Sequence, residues 1–168
     1  MKVSSVFAPL ALVTIYAAVL SAQNLPEVKL AVESASPRTV ESLTERSIAR
    51  DYTAAWRTLA EASEKNAPGL LDAYFTGGAK STLARGISEQ KKSNTRVRFL
   101  NQTHNLKAVF YAPEGDVMEL QDSAEYQMQV VSDDKVIHDE HVVVQYIVLM
   151  TPGADRWVIR QLQAVPGL

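Results

Sequence analysis

Residues 117–131 read VMELQDSAEYQMQVV, and apolar and polar side chains alternate along the whole stretch. One face carries the apolar side chains together with Asp122, and the other face carries Glu, Gln and Ser side chains. Successive side chains of a β-strand point to opposite faces, so this alternation is typical of a strand with one buried face. The stretch therefore predicts the central strand of an antiparallel sheet.

Two further strands are predicted downstream of this stretch. Asp133-Asp134 turns the chain into a strand over Val136–Met150, and Pro152-Gly153 turns it again into a last strand over Arg156–Gln163. The apolar centre of Val136–Met150 indicates that this strand is buried on both faces. Short turns of this kind join antiparallel neighbours, so the second half of the chain is predicted to be a meander.

Upstream, the apolar segments 96–100 and 106–111 predict either two strands or one strand that continues past a bulge. The polar run 101–105 between them contains His104, and it is interpreted as a loop or bulge. With the strands downstream, the sheet is expected to have four or five antiparallel strands.

Helices are predicted before the sheet. From Val40 onward, apolar residues recur at helical spacing up to the break at Asn66-Ala67-Pro68-Gly69. A short second helix over 70–75 and a third over about 79–92 follow this break. Helices followed by a meander indicate an α+β domain in which N-terminal helices pack against a curved antiparallel sheet.

The N-terminus has a different composition from the rest of the chain. Residues 1–22 contain one charge, Lys2, followed by a short apolar core and small residues, which is typical of a secretory signal peptide. An uncleaved anchor or a buried helix is the alternative. Residues 23–40 carry prolines without clear periodicity and predict a flexible lead-in, whereas 41–163 form the folded domain and 164–168 a C-terminal tail. The protein is therefore expected to be exported, periplasmic or secreted, without a stable membrane span after cleavage.

The composition excludes several classes of protein. The chain has 168 residues, a formal net charge of −2 and no cysteine, so disulfide frameworks and thiolate zinc sites are excluded. The near-neutral charge argues against a nucleic-acid partner. His138 and His141 would point to opposite faces of a strand, so no metal site is expected. Motifs for nucleotide cofactors or nucleophilic catalysis are absent, and no cofactor is predicted.

Segments spread over the chain resemble a known superfamily. They are Ala54-Ala55-Trp56, Leu59, Leu70-Leu71, Tyr74-Phe75, Ala124-Glu125-Tyr126, Gln145–Leu149 and Arg156–Ile159. In this pattern the chain resembles the nuclear transport factor two-like (cystatin-like cone) superfamily. Within this superfamily, the sequence pattern is most similar to that of the intermembrane-space domains of plastid-division proteins and of mitochondrial import scaffolds. The resemblance implies a sheet that wraps around the N-terminal helices. It leaves function open, because the superfamily holds isomerases, dehydratases and cyclases as well as non-catalytic binding domains.

Asp122 is the one charged residue on the apolar face of the central strand. A buried carboxylate must be paired, or its pKa rises, which suits a general base in an isomerase-like cavity. A position near a bulge or sheet edge, where Asp122 would be solvated, is the alternative.

The partners of Asp122 depend on the strand register. A two-residue hairpin at Asp133-Asp134 would place Asp122 opposite Gln145, and Tyr126 opposite His141. A register shifted by one residue would place Asp122 opposite Tyr146 and turn His141 away. The candidate ligand-binding residues are therefore Asp122, Tyr126, Gln145, Tyr146, Trp56 and Tyr74.

The expected function is that of an exported, non-catalytic domain that binds a small apolar ligand in its cone, or a protein partner on its sheet. The alternative is a cofactor-independent isomerase, cyclase or dehydratase. That enzyme would use Asp122 as base and Tyr126, His141 or Tyr146 as donors.

Charges are also segregated along the chain, with a basic block at 80–107 and an acidic block at 114–140. Two such blocks could form surfaces for a partner or a homo-oligomer. Mutual compensation within the fold, with Arg96 and Arg98 beside Glu119 or Glu125, is the alternative interpretation.

Overall fold

The computed structural model describes residues 25–165. The predicted signal peptide and the last three residues of the predicted tail lie outside this range. Within it, no helix combines the length and the apolarity needed to cross a membrane.

The predicted helices are present. Helix α1 spans Ser42–Lys65, a 3₁₀ helix spans Pro68–Ala73, and helix α2 spans Gly77–Lys92. Helix α1 ends at Asn66, whose φ of 51° is left-handed, a conformation that Asn tolerates. A 3₁₀ helix takes the place of the predicted short second helix, and Pro68 stands at its start, where no backbone N–H is needed.

Six strands within the described range form one sheet in the order β1-β3-β4-β5-β6, with β2 also paired to β3. They span Glu27–Ala31, Ser36–Pro37, Arg96–Tyr111, Met118–Ser132, Lys135–Pro152 and Trp157–Val165. Strands β3 to β6 are antiparallel neighbours, as the meander pattern predicted. The α+β fold class is thus confirmed.

The first two strands lie in the segment that was predicted to be a flexible lead-in. Strand β1 pairs in parallel with Thr103–Lys107, and β2 pairs in parallel with Phe110–Tyr111. Val28 and Leu30 of β1 pack against the core. The prediction was wrong here because the alternation of Glu27-Val28-Lys29-Leu30 is too short to stand out between Pro26 and Pro37, and because a short parallel edge strand depends on a distant partner for its hydrogen bonds. At the other end, β6 continues to Val165, two residues into the predicted tail.

Strand β3 is one strand that continues past a bulge, the second of the two alternatives. Its register against β4 shifts between Leu100 and Thr103, and Asn101 within the shift has a φ of 51°. One extra residue in one strand produces such a shift, and Asn is one of the few residues that adopt positive φ readily.

The hairpin between β4 and β5 also contains a bulge. Asp133 and Asp134 both have positive φ, as a two-residue type I′ turn requires, and Ser132 pairs with Lys135. The register then shifts by one residue between Val131 and Val130. The predicted two-residue hairpin is therefore present, but the pairing beyond it follows the shifted register.

Helix α1 packs against the inner face of the sheet. Ile48, Tyr52, Ala55, Trp56 and Leu59 form its buried stripe. The inner face of the strands contributes Leu106, Leu120, Ala124, Val148 and Ile159, all of them buried. The outer face of β4 is exposed at Gln121, Ser123 and Glu125. The sheet is therefore one-sided, as the alternation in residues 117–131 predicts.

Candidate functional site

A pocket of about 420 Å³ opens between the two α-helices and the inner face of the sheet. Helix α1, helix α2 and strands β3 to β6 all contribute side chains to it. The lining consists of Trp56, Leu59, Ser63, Thr82, Leu83, Gly86, Ile87, Gln90, Val97, Phe99, Tyr126, Met128, Tyr146, Leu162 and Ala164. None of these residues is charged, and most are apolar or aromatic. Pockets that bind small molecules have this size and this composition.

Two tyrosines of the pocket lining are hydrogen-bonded to each other. The hydroxyl oxygens of Tyr126 on β4 and Tyr146 on β5 lie 2.9 Å apart and share a hydrogen bond, in which either can be the donor. The Trp56 ring packs 5.9 Å from the Tyr126 ring and 5.7 Å from the Tyr146 ring, between centroids. Burial raises the pKa of both hydroxyls, so both keep their protons at neutral pH.

Asp122 is buried and hydrogen-bonded next to this pocket. The Tyr52 hydroxyl donates to Asp122 Oδ2 at 2.7 Å, and His104 Nδ1 lies 2.8 Å from the same oxygen. Only 1% of the Asp122 surface is exposed, so the solvated alternative was wrong and the paired, buried one is confirmed. Burial, followed by the nearby Asp122 charge, raises the pKa of Tyr52 well above its usual value. Asp122 Oδ1 and His104 Nε2 are buried without a hydrogen-bond partner.

Trp56 separates this buried cluster from the pocket. Its ring packs on the His104 ring with 4.3 Å between centroids, while Trp56 itself also lines the pocket. Neither Asp122 nor His104 is part of the pocket lining. A molecule in the pocket would therefore contact Tyr126 and Tyr146 but not the Asp122 carboxylate.

Of the seven residues proposed from the sequence, Trp56, Tyr126 and Tyr146 meet in the pocket, whereas Asp122, Tyr74, His141 and Gln145 lie outside its lining. His141 and Gln145 are exposed on the outer face, where His141 Nε2 lies 3.2 Å from a Glu125 oxygen. The shifted register explains this, because Tyr146 and not Gln145 lies opposite Asp122. Tyr74 lies outside this pocket, with the Arg156 guanidinium 5.0 Å from its ring centroid. Gln145 and Tyr74, like Asp122, are therefore not part of the lining of this pocket.

His104 is a buried partner of Asp122 that the sequence interpretation missed. The polar run 101–105 was interpreted as a loop or bulge; a bulge is present between Leu100 and Thr103, and strand β3 continues past it through His104. Leu106 and Ala108 are buried on the inner face, and His104 lies two residues before Leu106. Extending the two-residue period backward from Leu106 would have placed His104 on the same face.

Gly86 lies in the middle of α2 and lines the pocket. A Cβ added at Gly86 would meet no atom within 4 Å, so no neighbouring side chain or backbone requires glycine there. Glycine inside a helix costs about 1 kcal/mol relative to alanine. At this position it leaves open space beside the pocket.

An ion pair joins the basic block to the acidic block, and Arg98 of the basic block pairs with a carboxylate that lies outside the acidic block. Arg96 pairs with Asp134, and Arg98 Nε lies 2.9 Å from a Glu64 oxygen. Compensation therefore occurs, but not through Glu119 or Glu125, because the strand register sets Arg96 opposite Val131. Among residues 25–165, no group of three or more His, Asp or Glu side chains could hold a metal ion.

Comparisons with known proteins identify a similar fold. No family model matches the chain. No curated protein matches it significantly either. Among solved structures, the intermembrane space region of the chloroplast protein ARC6 is similar, with a TM-score of 0.62 and 9% sequence identity. The match covers 78% of this chain and 100% of that one. At this identity the similarity shows the fold alone, and membership of the nuclear transport factor two-like superfamily stays a prediction.

Proposed function

We propose that this protein is a non-catalytic binding domain that takes a small apolar molecule into the pocket between its α-helices and its sheet. The observation that carries the proposal is the pocket itself, which has about 420 Å³ of space and no charged residue in its lining. An apolar pocket wall favours binding because the ligand buries its apolar surface there, and a few polar groups in the wall orient the ligand.

Binding is favoured over catalysis because no Asp, Glu, His or Lys side chain lines the pocket. An acid–base catalyst must lie within hydrogen-bond reach of its substrate. Asp122, the base of the alternative enzyme, is engaged by Tyr52 and His104 and does not line the pocket. The tyrosine hydroxyls, whose pKa values burial raises, are suited to donate hydrogen bonds and not to remove protons.

Gly86 supports the same proposal. Alanine would stabilise helix α2 at this position by about 1 kcal/mol without a steric clash. Glycine here therefore lowers the stability of the helix and enlarges the space beside the pocket. A site that must admit a ligand gives a reason for this residue.

The proposal is tested with N-phenyl-1-naphthylamine, a neutral dye that becomes fluorescent in apolar surroundings. We expect saturable binding to the unmodified protein. In Gly86→Leu, a side chain projecting beside the pocket should weaken binding by at least about tenfold, the equivalent of 1.4 kcal/mol.

Gly69→Leu is the matched control. A Cβ at Gly69 also meets no atom within 4 Å, but Gly69 lies in the 3₁₀ helix and outside the pocket lining. It should leave dye binding unchanged. Equal binding by the two leucine variants, or no saturable binding by the unmodified protein, would contradict the proposal.

We also propose that residues 1–22 direct export and are removed. A basic residue, an apolar core and small residues at the end of the segment support this. The mass of the protein recovered from its native source should correspond to a chain that begins near Gln23. A mature chain that retains the segment would contradict cleavage.

A further inference from the structure

We infer that the ligand of this pocket is an uncharged molecule with a hydrogen-bond acceptor, such as a ketone or ester carbonyl, which the Tyr126–Tyr146 hydroxyl pair binds. This inference rests on the proposed function and adds the chemical class of the ligand. It is carried by the hydroxyl pair, the uncharged lining and the position of Asp122.

The hydroxyl pair has one more donor than it uses. Two hydroxyl groups carry two hydrogens, and the bond between Tyr126 and Tyr146 uses one of them. Among the hydrogen bonds of the described residues, the second hydrogen has no acceptor. Because the first bond polarises the accepting hydroxyl, that hydroxyl becomes a stronger donor to a third group. An acceptor on the ligand would complete this chain of hydrogen bonds.

The surroundings of the pair disfavour a negatively charged ligand. No lysine, arginine or histidine lines the pocket, so a bound carboxylate would have no cation as partner. The buried Asp122 charge also contributes to raising the pKa of both tyrosines, which means that its negative potential reaches their hydroxyls. Burying an unpaired anion next to another anion is costly.

A positively charged ligand is disfavoured by the packing of the aromatic rings. A cation needs an uncovered ring face within about 6 Å of the ring centroid. Here Phe99 packs edge-on against Trp56 and Tyr126, with centroid distances of 6.4 and 5.5 Å. Rings at these distances touch one another and leave no space for an ammonium group between them. The lining also holds no carboxylate that could pair with a cation.

Four naphthalene derivatives of similar size separate these ligand classes. They are 1-acetylnaphthalene, 1-ethylnaphthalene, 1-naphthoate and 1-naphthylmethylammonium, each used near neutral pH to displace N-phenyl-1-naphthylamine from the full chain. We expect the ketone to bind about fivefold more tightly than the ethyl compound, since the net free energy of one neutral hydrogen bond corresponds to about this factor in affinity. The carboxylate and the ammonium compound should bind at least about tenfold more weakly than the ketone.

The variant Tyr126→Phe with Tyr146→Phe removes both hydroxyls and keeps the rings. In this variant the ketone should lose its advantage and bind no more tightly than the ethyl compound, because its carbonyl would be buried without a donor. A preference for the ketone that survives in the variant would overturn the inference, as would tighter binding of either charged compound to the unmodified protein. The ratios of the affinities of the four compounds for the unmodified protein test the ligand class even if the variant fails to fold.

Displacement of the dye by all four compounds with equal affinity would overturn the ligand class and leave the proposed function standing, whereas failure of the dye to bind would overturn both.

Discussion

The two oxygens of Asp122 have very different surroundings. Oδ2 is contacted by Tyr52 and His104, whereas Oδ1 is buried without a hydrogen-bond partner. A buried carboxylate with few donors depends strongly on each one, because removal of a partner leaves the group unpaired at full desolvation cost. The charge of Asp122 was recognisable in the sequence as a break in an apolar face. The partners of Asp122 were not recognised in the sequence, since Tyr52 lies 70 residues away in the chain and His104 follows a bulge in β3.

We predict that Tyr52→Phe lowers the free energy of unfolding by about 1.5–3 kcal/mol at neutral pH, because a hydrogen bond to a charged group is lost. The difference in the free energy of unfolding between the variant and the unmodified protein should shrink above about pH 10. In that pH range Tyr52 ionises in the unfolded chain, whereas its raised pKa keeps it protonated in the folded protein. The free energy of unfolding of the unmodified protein should therefore fall by about 1.4 kcal/mol more per pH unit than that of the variant. Urea denaturation at several pH values measures both effects.

The control for Tyr52→Phe is the same substitution in an Asp122→Asn background. If the hydroxyl acts through the carboxylate, its removal should cost less in that background, and the double-mutant cycle gives the coupling. Equal costs in the two backgrounds would show that the Tyr52 hydroxyl does not act through Asp122.

At the scale of elements, helix α1 is tied to strand β6 through one side chain. Asp51 of α1 is 2% exposed, and its Oδ2 accepts the backbone N–H of Trp157, the first residue of β6, at 2.8 Å. Arg50 Nε donates to Oδ1 at 2.8 Å. Asp51 stands at helical spacing from Ile48 and Ala55, but its burial was not predicted from the sequence. Nothing in the local sequence indicated that a strand 106 residues away supplies the donor.

We predict that Asp51→Ala lowers the free energy of unfolding by about 1.5–3 kcal/mol and increases hydrogen exchange at the Trp157 amide, because the buried donor loses its acceptor. Asp155→Ala is the matched control, since Asp155 also pairs with the neighbouring arginine, Arg156, but on the surface. Exposed ion pairs contribute little, so this control should change stability only slightly. Similar losses in both variants would contradict the role assigned to Asp51.

For the whole molecule, the order of the sheet depends on a segment without a clear sequence pattern. Strand β1 covers Thr103–Lys107 of β3, and β2 covers Phe110–Tyr111. Without these strands, that side of β3 would be an uncovered edge with unpaired N–H and C=O groups. Exposed strand edges invite pairing with another chain.

We predict that a chain beginning at Arg38 is less stable than one beginning at Leu25 by about 2 kcal/mol, because the partly buried Val28 and Leu30 are lost. It should also self-associate through the uncovered edge of β3. Urea denaturation and light scattering at several concentrations measure the two effects. Equal stability and a monomeric shorter chain would show that β1 and β2 contribute nothing to the fold.

By itself, the sequence determined the period of each long segment, and with it the helices, the meander and the one buried face of β4, because helical and two-residue spacings are local properties of the chain. It also placed Trp56 and Tyr126 on inner faces, where the pocket is found, whereas Tyr146 was on the inner face only in the shifted register. The predicted burial of β5 on both faces was wrong, since Val136, Ile137 and Val143 are exposed. Only the tertiary structure decided the register beyond the Asp133-Asp134 turn. One extra residue at a bulge exchanges the faces of everything after it, and whether a bulge forms depends on the packing of the sheet against the helices. For the same reason, the structure alone showed that Asp122 lies behind the pocket and not in it.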